Sequence, residues 1–172
     1  NLKIGSGTHA EQTGKMLVGI EQILLAEQPD IVLVYGDTNS TIAGALAAAK
    51  LRIPIAHIEA GLRSFNNNMP EEINRILTDR ISQLLFCPSE SAIQNLKNEG
   101  IEKNVYLVGD VMLDLVRENI VRIQKESKIL ETLNLQEKQY ILATVHRSHN
   151  ADNIKNLKSI FTAFIESGEK II

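Results

Sequence analysis

Residues 31–58 read IVLVYGDTNSTIAGALAAAKLRIPIAHI. This stretch decides the fold class. Ile31 to Tyr35 is a short, β-branched apolar run without polar alternation, as expected of a strand buried on both faces. Gly36-Asp37 turns the chain. Thr38, Asn39 and Ser40 are residue types that cap helix N-termini, and a small-residue helix, TIAGALAAAKL, follows them. Ile53 to Ile58 reads as a second strand, with Pro54 near its start, where a missing N–H is tolerated.

The same cycle continues outward in both directions. Upstream, residues 9–27 place Met16, Leu17, Ile20, Ile23, Leu24 and Leu25 at helical spacing, and Pro29-Asp30 ends that helix. Downstream, Glu59-Ala60-Gly61 leaves the second strand and RSFNNN (63–68) forms a polar loop. EEINRILTDRIS is then a helix with acidic residues in its first turn, which suits the helix dipole. Leu84 to Cys87 is a third strand. Pro88-Ser89 opens a helix that Gly100 ends. Val105 to Val108 is a fourth strand, closed by Gly109-Asp110. Residues 111–134 read as polar, mostly helical chain. Tyr140 to Val145 is expected to be a fifth strand, and residues 152–167 a final helix. Strict alternation of strand and helix predicts an α/β protein with a parallel sheet and helices on both faces. The polar helix at 116–137 is the expected linker. Residues 1–115 then form most of one doubly wound domain, and residues 138–172 begin a second.

Composition narrows the function classes. The 172 residues carry 18 basic and 21 acidic side chains, a net charge of −3, which gives no support for broad nucleic-acid or anionic-membrane binding. One cysteine, Cys87, excludes an internal disulfide framework and a cysteine-cluster metal site, and its mid-strand place predicts an inert core thiol. No apolar run approaches the ~20 residues that span a bilayer. The histidines lack HExxH spacing, no Walker motif is present, and Gly5-Ser6-Gly7 follows no strand that would make it a phosphate loop. Asn1 and the apolar stub Ile171-Ile172 read as interior points of a longer chain.

In open parallel sheets ligands bind beyond the carboxyl ends of the strands. Those ends carry Asp37, Glu59, Asp110 and the pair His146-Arg147, so several ionisable groups meet one rim by topology alone. Asp37 is either a helix cap or a general acid or base beside a helix N-terminus. Glu59 ends an apolar strand, where unpaired acids are rare; an ion pair with Arg63 is the alternative to a functional role. Ala60-Gly61 after it allows close approach of backbone or ligand. Of Glu71 and Glu72, either could serve the helix N-terminus and either the chemistry. His57 shares strand parity with Glu59 and reads as a satisfied, partly buried histidine. His146 beside Arg147 suits a phosphate or a developing anion. Arg75 either pairs with Glu71 on the helix surface or reaches a diphosphate. Ser89-Glu90 reads as a helix cap. The residues alone thus describe acid/base chemistry on a polar, phosphorylated ligand.

Five segments carry a more specific signal: VYGDTNST (34–41), HIEAGLRS (57–64), MPEEINRILTD (69–79), VGDVMLD (108–114) and TVHRSHN (144–150). Their order and spacing resemble the non-hydrolysing UDP-N-acetylglucosamine 2-epimerase family over almost the whole chain. The resemblance implies a Rossmann-like sheet within a two-domain glycosyltransferase-B-like fold. It implies epimerisation at C2 of UDP-N-acetylglucosamine to UDP-N-acetylmannosamine through loss and re-addition of UDP, with neither NAD nor metal. By motif, Asp37, Glu59, Glu71 and His146 match the family's catalytic residues. Arg75, His146 and Arg147 fall at substrate-binding positions, with His146 at the nucleotide diphosphate. His149 stands where the family's HRxEN motif carries Glu. A cytoplasmic homodimer acting on a UDP-sugar, without nucleic acid or membrane insertion, is the implied setting. Alternatives within the fold are the hydrolysing relative and the epimerase of UDP-2,3-diacetamido-glucuronate. A nucleotide-sugar-binding regulatory protein is the alternative outside catalysis.

Overall fold

The computed structural model describes residues 1–172, apart from the side chain of Ser148. The chain divides into two units, residues 1–115 and 116–172.

The first unit is α/β. Its elements are α1 (His9–Glu27), β1 (Val32–Tyr35), α2 (Asn39–Lys50), β2 (Ile55–Ile58), α3 (Pro70–Ile81), β3 (Leu84–Cys87), α4 (Glu90–Asn98), β4 (Val105–Leu107) and the start of α5 (Val111–Glu126). The four strands form one parallel sheet in the order β1-β2-β3-β4. The register puts Val34, His57 and Leu85 side by side. These residues, with Ile55 and Cys87, form the face on which the helices pack. Val34 and Ile55 meet Ala45, Ala47 and Ala48 of α2, while Leu85 and Cys87 meet Ala92 and Leu96 of α4. Alanine explains how α2 fits: Ala43, Ala45, Ala47 and Ala48 are all buried, so the helix sits close against the strands with α1 and α3 on its flanks.

The three helices that connect these four strands all pack on one face of the sheet. Parallel crossovers are almost always right-handed, so four strands laid down in order place each connecting helix on the same side. Leu33, Tyr35 and Tyr106 on the other face are exposed. Two helix starts agree with their sequence signals. Ser89 Oγ accepts the Ala92 N–H at 3.3 Å, and Thr38 caps α2, its N–H donating to Thr41 Oγ1 at 3.1 Å.

The second unit holds the rest of α5, then α6 (Ile129–Thr132), α7 (Ser148–Ala151) and α8 (Ile154–Glu166). Asn153 caps α8, its Oδ1 accepting from the Lys155 and Asn156 N–H groups. The expected strand at 140–145 is present only as a single parallel bridge between Ile141 and Ile171. The Ile141 N–H donates to Lys170 and the Ala143 N–H to Ile172, at 2.8 and 2.9 Å. No helix among the described residues is long and apolar enough to cross a membrane.

Candidate active site

The carboxyl ends of β1 and β2 carry the first two acids. Asp37 follows Gly36, whose φ of +62° turns the chain out of β1. Asp37 does not cap α2, since Thr38 does. Its carboxylate instead pairs with the Arg75 guanidinium, and its backbone carbonyl accepts from Asn74 Nδ2 at 2.9 Å. Arg75 and Asn74 both lie on α3, so one helix holds Asp37 by side chain and by backbone.

Glu59 follows directly on β2 with φ +73°, a conformation uncommon outside glycine. Its N–H donates to the Phe86 carbonyl at 3.1 Å. Its carboxylate lies over Gly36: a methyl built on that glycine would sit 3.6 Å from Glu59 Oε2. Burial pushes the Glu59 carboxyl above its ordinary value, Asp37 and Asp110 push it further, and Arg75 and His57 offset part of the rise. Arg63 is not its partner. The Arg63 guanidinium turns inward to Asp79 (2.7 Å) and Glu99 (2.6 and 2.8 Å). Burial alone would lower the Arg63 pKa, but these hydrogen bonds to Glu99 and Asp79 raise it overall.

The paired glutamates of α3 part company. Glu72 is buried and accepts the N–H groups of Ser64 and Phe65 at 2.9 and 2.8 Å, with Arg75 Nη1 at 3.2 Å. Burial would raise its carboxyl; the hydrogen bonds from Ser64 and Phe65, together with Arg75, outweigh that and hold it below the ordinary value. Glu72 therefore fastens the 63–68 loop. Glu71 is exposed and lines a cavity of about 240 Å³ with Asp37, Asn39, Asn74, His9 and Gln12. The surface pair expected between Glu71 and Arg75 is replaced by the Glu72–Arg75 pair one residue on. Arg75 Nε is buried and has no partner among the described residues, which leaves one donor of this guanidinium available.

His57 is more deeply placed than its sequence suggests. The ring is fully buried, with Nδ1 at 2.7 Å from Asp79 Oδ1 and Nε2 donating to the Gly36 carbonyl at 2.7 Å. The parity shared with Glu59 ends at Ile58, because Glu59 leaves the extended conformation. Asp79 is the residue that sequence reasoning missed. A signal exists: Glu72, Arg75 and Asp79 recur at helical spacing, so α3 turns a polar stripe toward the sheet. Cys87 is buried, and burial, then Asp79, pushes its thiol up to about 11, which fits an inert core thiol. Asp110 Oδ1 caps the start of α5, accepting the Met112 N–H at 2.8 Å.

In the second unit His146 and Arg147 are exposed and line a cavity of about 330 Å³ with Thr144, Asn150, Ile160 and Phe164. The Arg147 carbonyl accepts the Asn150 and Ala151 N–H groups at 2.9 Å, so the first turn of α7 fixes the backbone there. The His149 carbonyl accepts from Asn156 Nδ2 at 3.0 Å, joining α7 to α8. Among the described residues no group of three or more His, Cys, Asp or Glu side chains could hold a metal ion.

Comparison with known proteins agrees with the motifs. The family model for UDP-N-acetylglucosamine 2-epimerase matches residues 1–171. A UDP-N-acetylglucosamine 2-epimerase homolog of Methanococcus maripaludis is 63% identical over all of this chain and 48% of its own length. The UDP-2,3-diacetamido-2,3-dideoxy-D-glucuronate 2-epimerase of Pseudomonas aeruginosa is 54% identical over 96% of this chain and 46% of its own. The crystal structure of Methanocaldococcus jannaschii UDP-GlcNAc 2-epimerase in complex with UDP-GlcNAc and UDP superposes with a TM-score of 0.90 at 48% identity, covering 99% of this chain and 49% of that one. The chain thus spans about half the length of these relatives. With the model matched from end to end and its own acids gathered at one sheet edge, the chain belongs to the UDP-N-acetylglucosamine 2-epimerase family.

Proposed function

We propose that the protein carrying this chain interconverts UDP-N-acetylglucosamine and UDP-N-acetylmannosamine by eliminating UDP and adding it back. In the first step the C2–H bond breaks and its proton passes to a carboxylate. The C1–O bond breaks with its electron pair leaving on UDP, and a C1=C2 double bond forms. In the second step a proton reaches C2 from the opposite face and the UDP oxygen rejoins C1. Two faces of one carbon require more than one proton-handling group.

The observation that supports this best is the pairing of two carboxylates in unlike surroundings. Glu59 is raised by burial and by Asp37, while Asp37 lies against Arg75. Such divergence suits one group to deliver a proton and another to take one. Glu59 is then the donor, and Asp37 or Glu71 the acceptor. His146 and Arg147 of the second unit are assigned to the diphosphate of UDP, where developing negative charge needs donors. Residues 1–115 are read as most of an N-terminal Rossmann-like domain, 116–137 as a linker and 138–172 as the start of a C-terminal domain. The reading extends to a cytoplasmic homodimer on the strength of the motif resemblance, which light scattering on the full-length protein would test.

Proton NMR of the full-length protein with UDP-N-acetylglucosamine in D2O tests the reaction. Deuterium at C2 together with a UDP-N-acetylmannosamine signal is the expected outcome; free N-acetylmannosamine with UDP would mark the hydrolysing reaction instead. A second reading, in which UDP-2,3-diacetamido-2,3-dideoxy-D-glucuronate is the substrate, is favoured by the 54% identity to the Pseudomonas aeruginosa relative. The same experiment with that sugar separates the two.

A further inference from the structure

Beneath the candidate site lies a buried polar chain that proton transfer does not use. His57 sits on the helix-covered face of β2, between strand neighbours Val34 and Leu85. Its ring is fully buried and does not face the solvent side of the candidate site. Nε2 donates to the Gly36 carbonyl at 2.7 Å. Nδ1 meets Asp79 Oδ1 at 2.7 Å. Asp79 Oδ2 then accepts the Gly61 N–H at 3.1 Å and Arg63 Nη1 at 2.7 Å. Arg63 ends on Glu99, and Asn95 Nδ2 donates to the Gly61 carbonyl at 3.0 Å. One ring therefore ties the loop after β1, at residue 36, to the loop after β2, at residues 61–63.

Gly36 is where the two acids of the first unit meet. It directly precedes Asp37, and the Glu59 carboxylate lies over it. Both Gly36 and Glu59 hold left-handed backbone, at φ +62° and +73°. Such conformations persist when the surroundings over-determine them. Burying polar groups is costly, and an apolar side chain of similar volume would often serve packing as well or better. The network is better understood by what it holds in place.

Resting on the epimerase reading above, we propose that His57 is a positioning residue for the reaction: through its Nε2 hydrogen bond to the Gly36 carbonyl it fixes the mutual placement of Asp37 and Glu59. The Asp79 contact anchors the ring, and Arg63 with Glu99 anchors Asp79.

Two isosteric substitutions in the full-length protein separate the bonds. In His57→Gln the amide nitrogen takes the place of Nε2 and can still reach Gly36. In His57→Asn it takes the place of Nδ1 and reaches Asp79 only. Each loses one of two buried hydrogen bonds, so comparable losses of stability are expected from urea unfolding. Their kinetics should differ. His57→Asn is expected to lose about 100-fold in kcat with KM nearly unchanged, the cost of a misplaced acid. His57→Gln is expected to stay within about fivefold of the parent, since its Gly36 bond survives. The pH profile gives a second readout. The groups acting on Glu59 are Asp37, Asp110, Arg75 and His57, and His57 lowers its carboxyl. The limb of the rate profile set by Glu59 should therefore move to higher pH in both variants.

Equal kcat in the Asn and Gln variants, with matching stability losses, would reduce His57 to a structural role. If His57→Asn fails to fold, His57→Gln still decides: a folded Gln variant that loses about 100-fold in kcat overturns the proposal. An inactive parent protein would instead count against the epimerase reading, so the two failures are distinguishable.

Discussion

Two adjacent glutamates open α3, and their surroundings pull them apart. Glu72 is buried under three donors, from Ser64, Phe65 and Arg75, and Glu71 faces solvent beside Asp37. Glu72 is lowered, so its contribution to stability is present above the ordinary value of 4.5 and is lost as pH falls through the folded value. Glu72→Ala is expected to cost about 3 kcal/mol near neutral pH, because it strands Arg75 and two loop N–H groups. Urea unfolding at about pH 8 and about pH 4 should show that cost shrinking at the acid end. Glu59 has the opposite sign. It is raised, so its stabilising contribution is present below 4.5 and lost as pH rises through the folded value. Glu59→Gln is therefore expected to gain stability relative to the parent as pH rises, while losing roughly 100-fold or more in kcat. Loss of activity without that pH signature would mean that Glu59 is not the perturbed group. The sequence places both acids near the rim, but only packing distinguishes the anchor from the accessible one. Glu72 meets its partners because the 63–68 loop folds back over the helix, and no local pattern encodes that return.

At the scale of elements, what could be read early is what local chemistry dictates. Alternating apolar runs, a Ser89 cap and the alanine stripe of α2 lead directly to β1–β4 and α1–α4. Contacts across long sequence separations were hidden. Arg63 finds Glu99 at the far end of α4 instead of Glu59 four residues away. That outcome depends on which neighbours the fold supplies. Gly61 shows the same point in a testable way. The sequence leaves open whether backbone or ligand approaches it; the structure brings the backbone of α4. A methyl at Gly61 would sit 2.4 Å from the Ala92 carbonyl oxygen, and φ there is +80°. Gly61→Ala thus combines left-handed strain with a clash that flexible side chains cannot relieve, a cost of about 2–5 kcal/mol. Thermal unfolding should show a large drop in midpoint. A drop within experimental error would mean that α4 can move away from this loop, and that the Asn95–Gly61 bond is dispensable.

At the scale of the molecule, the proposed reaction draws on residues from two separately packed units. Glu59 belongs to residues 1–115 and His146 to residues 116–172. The two residues lie in different units, so Glu59→Gln and His146→Asn are expected to add in unfolding free energy to within about 0.5 kcal/mol. Catalysis should behave otherwise. If Glu59 handles the C2 proton and His146 the departing diphosphate in the same step, each single substitution removes most of the benefit of the other. The double variant of the full-length protein is then expected to be about as slow as the slower single one, rather than slower by the product of the two factors. Steady-state rates and urea midpoints on the four proteins of this cycle would measure both couplings together. Multiplying catalytic losses would assign the two residues to independent steps, with His146 confined to binding. Non-additive catalysis beside additive stability is the pattern expected on the proposed epimerase reading, in which residues of both units act on one substrate in one step.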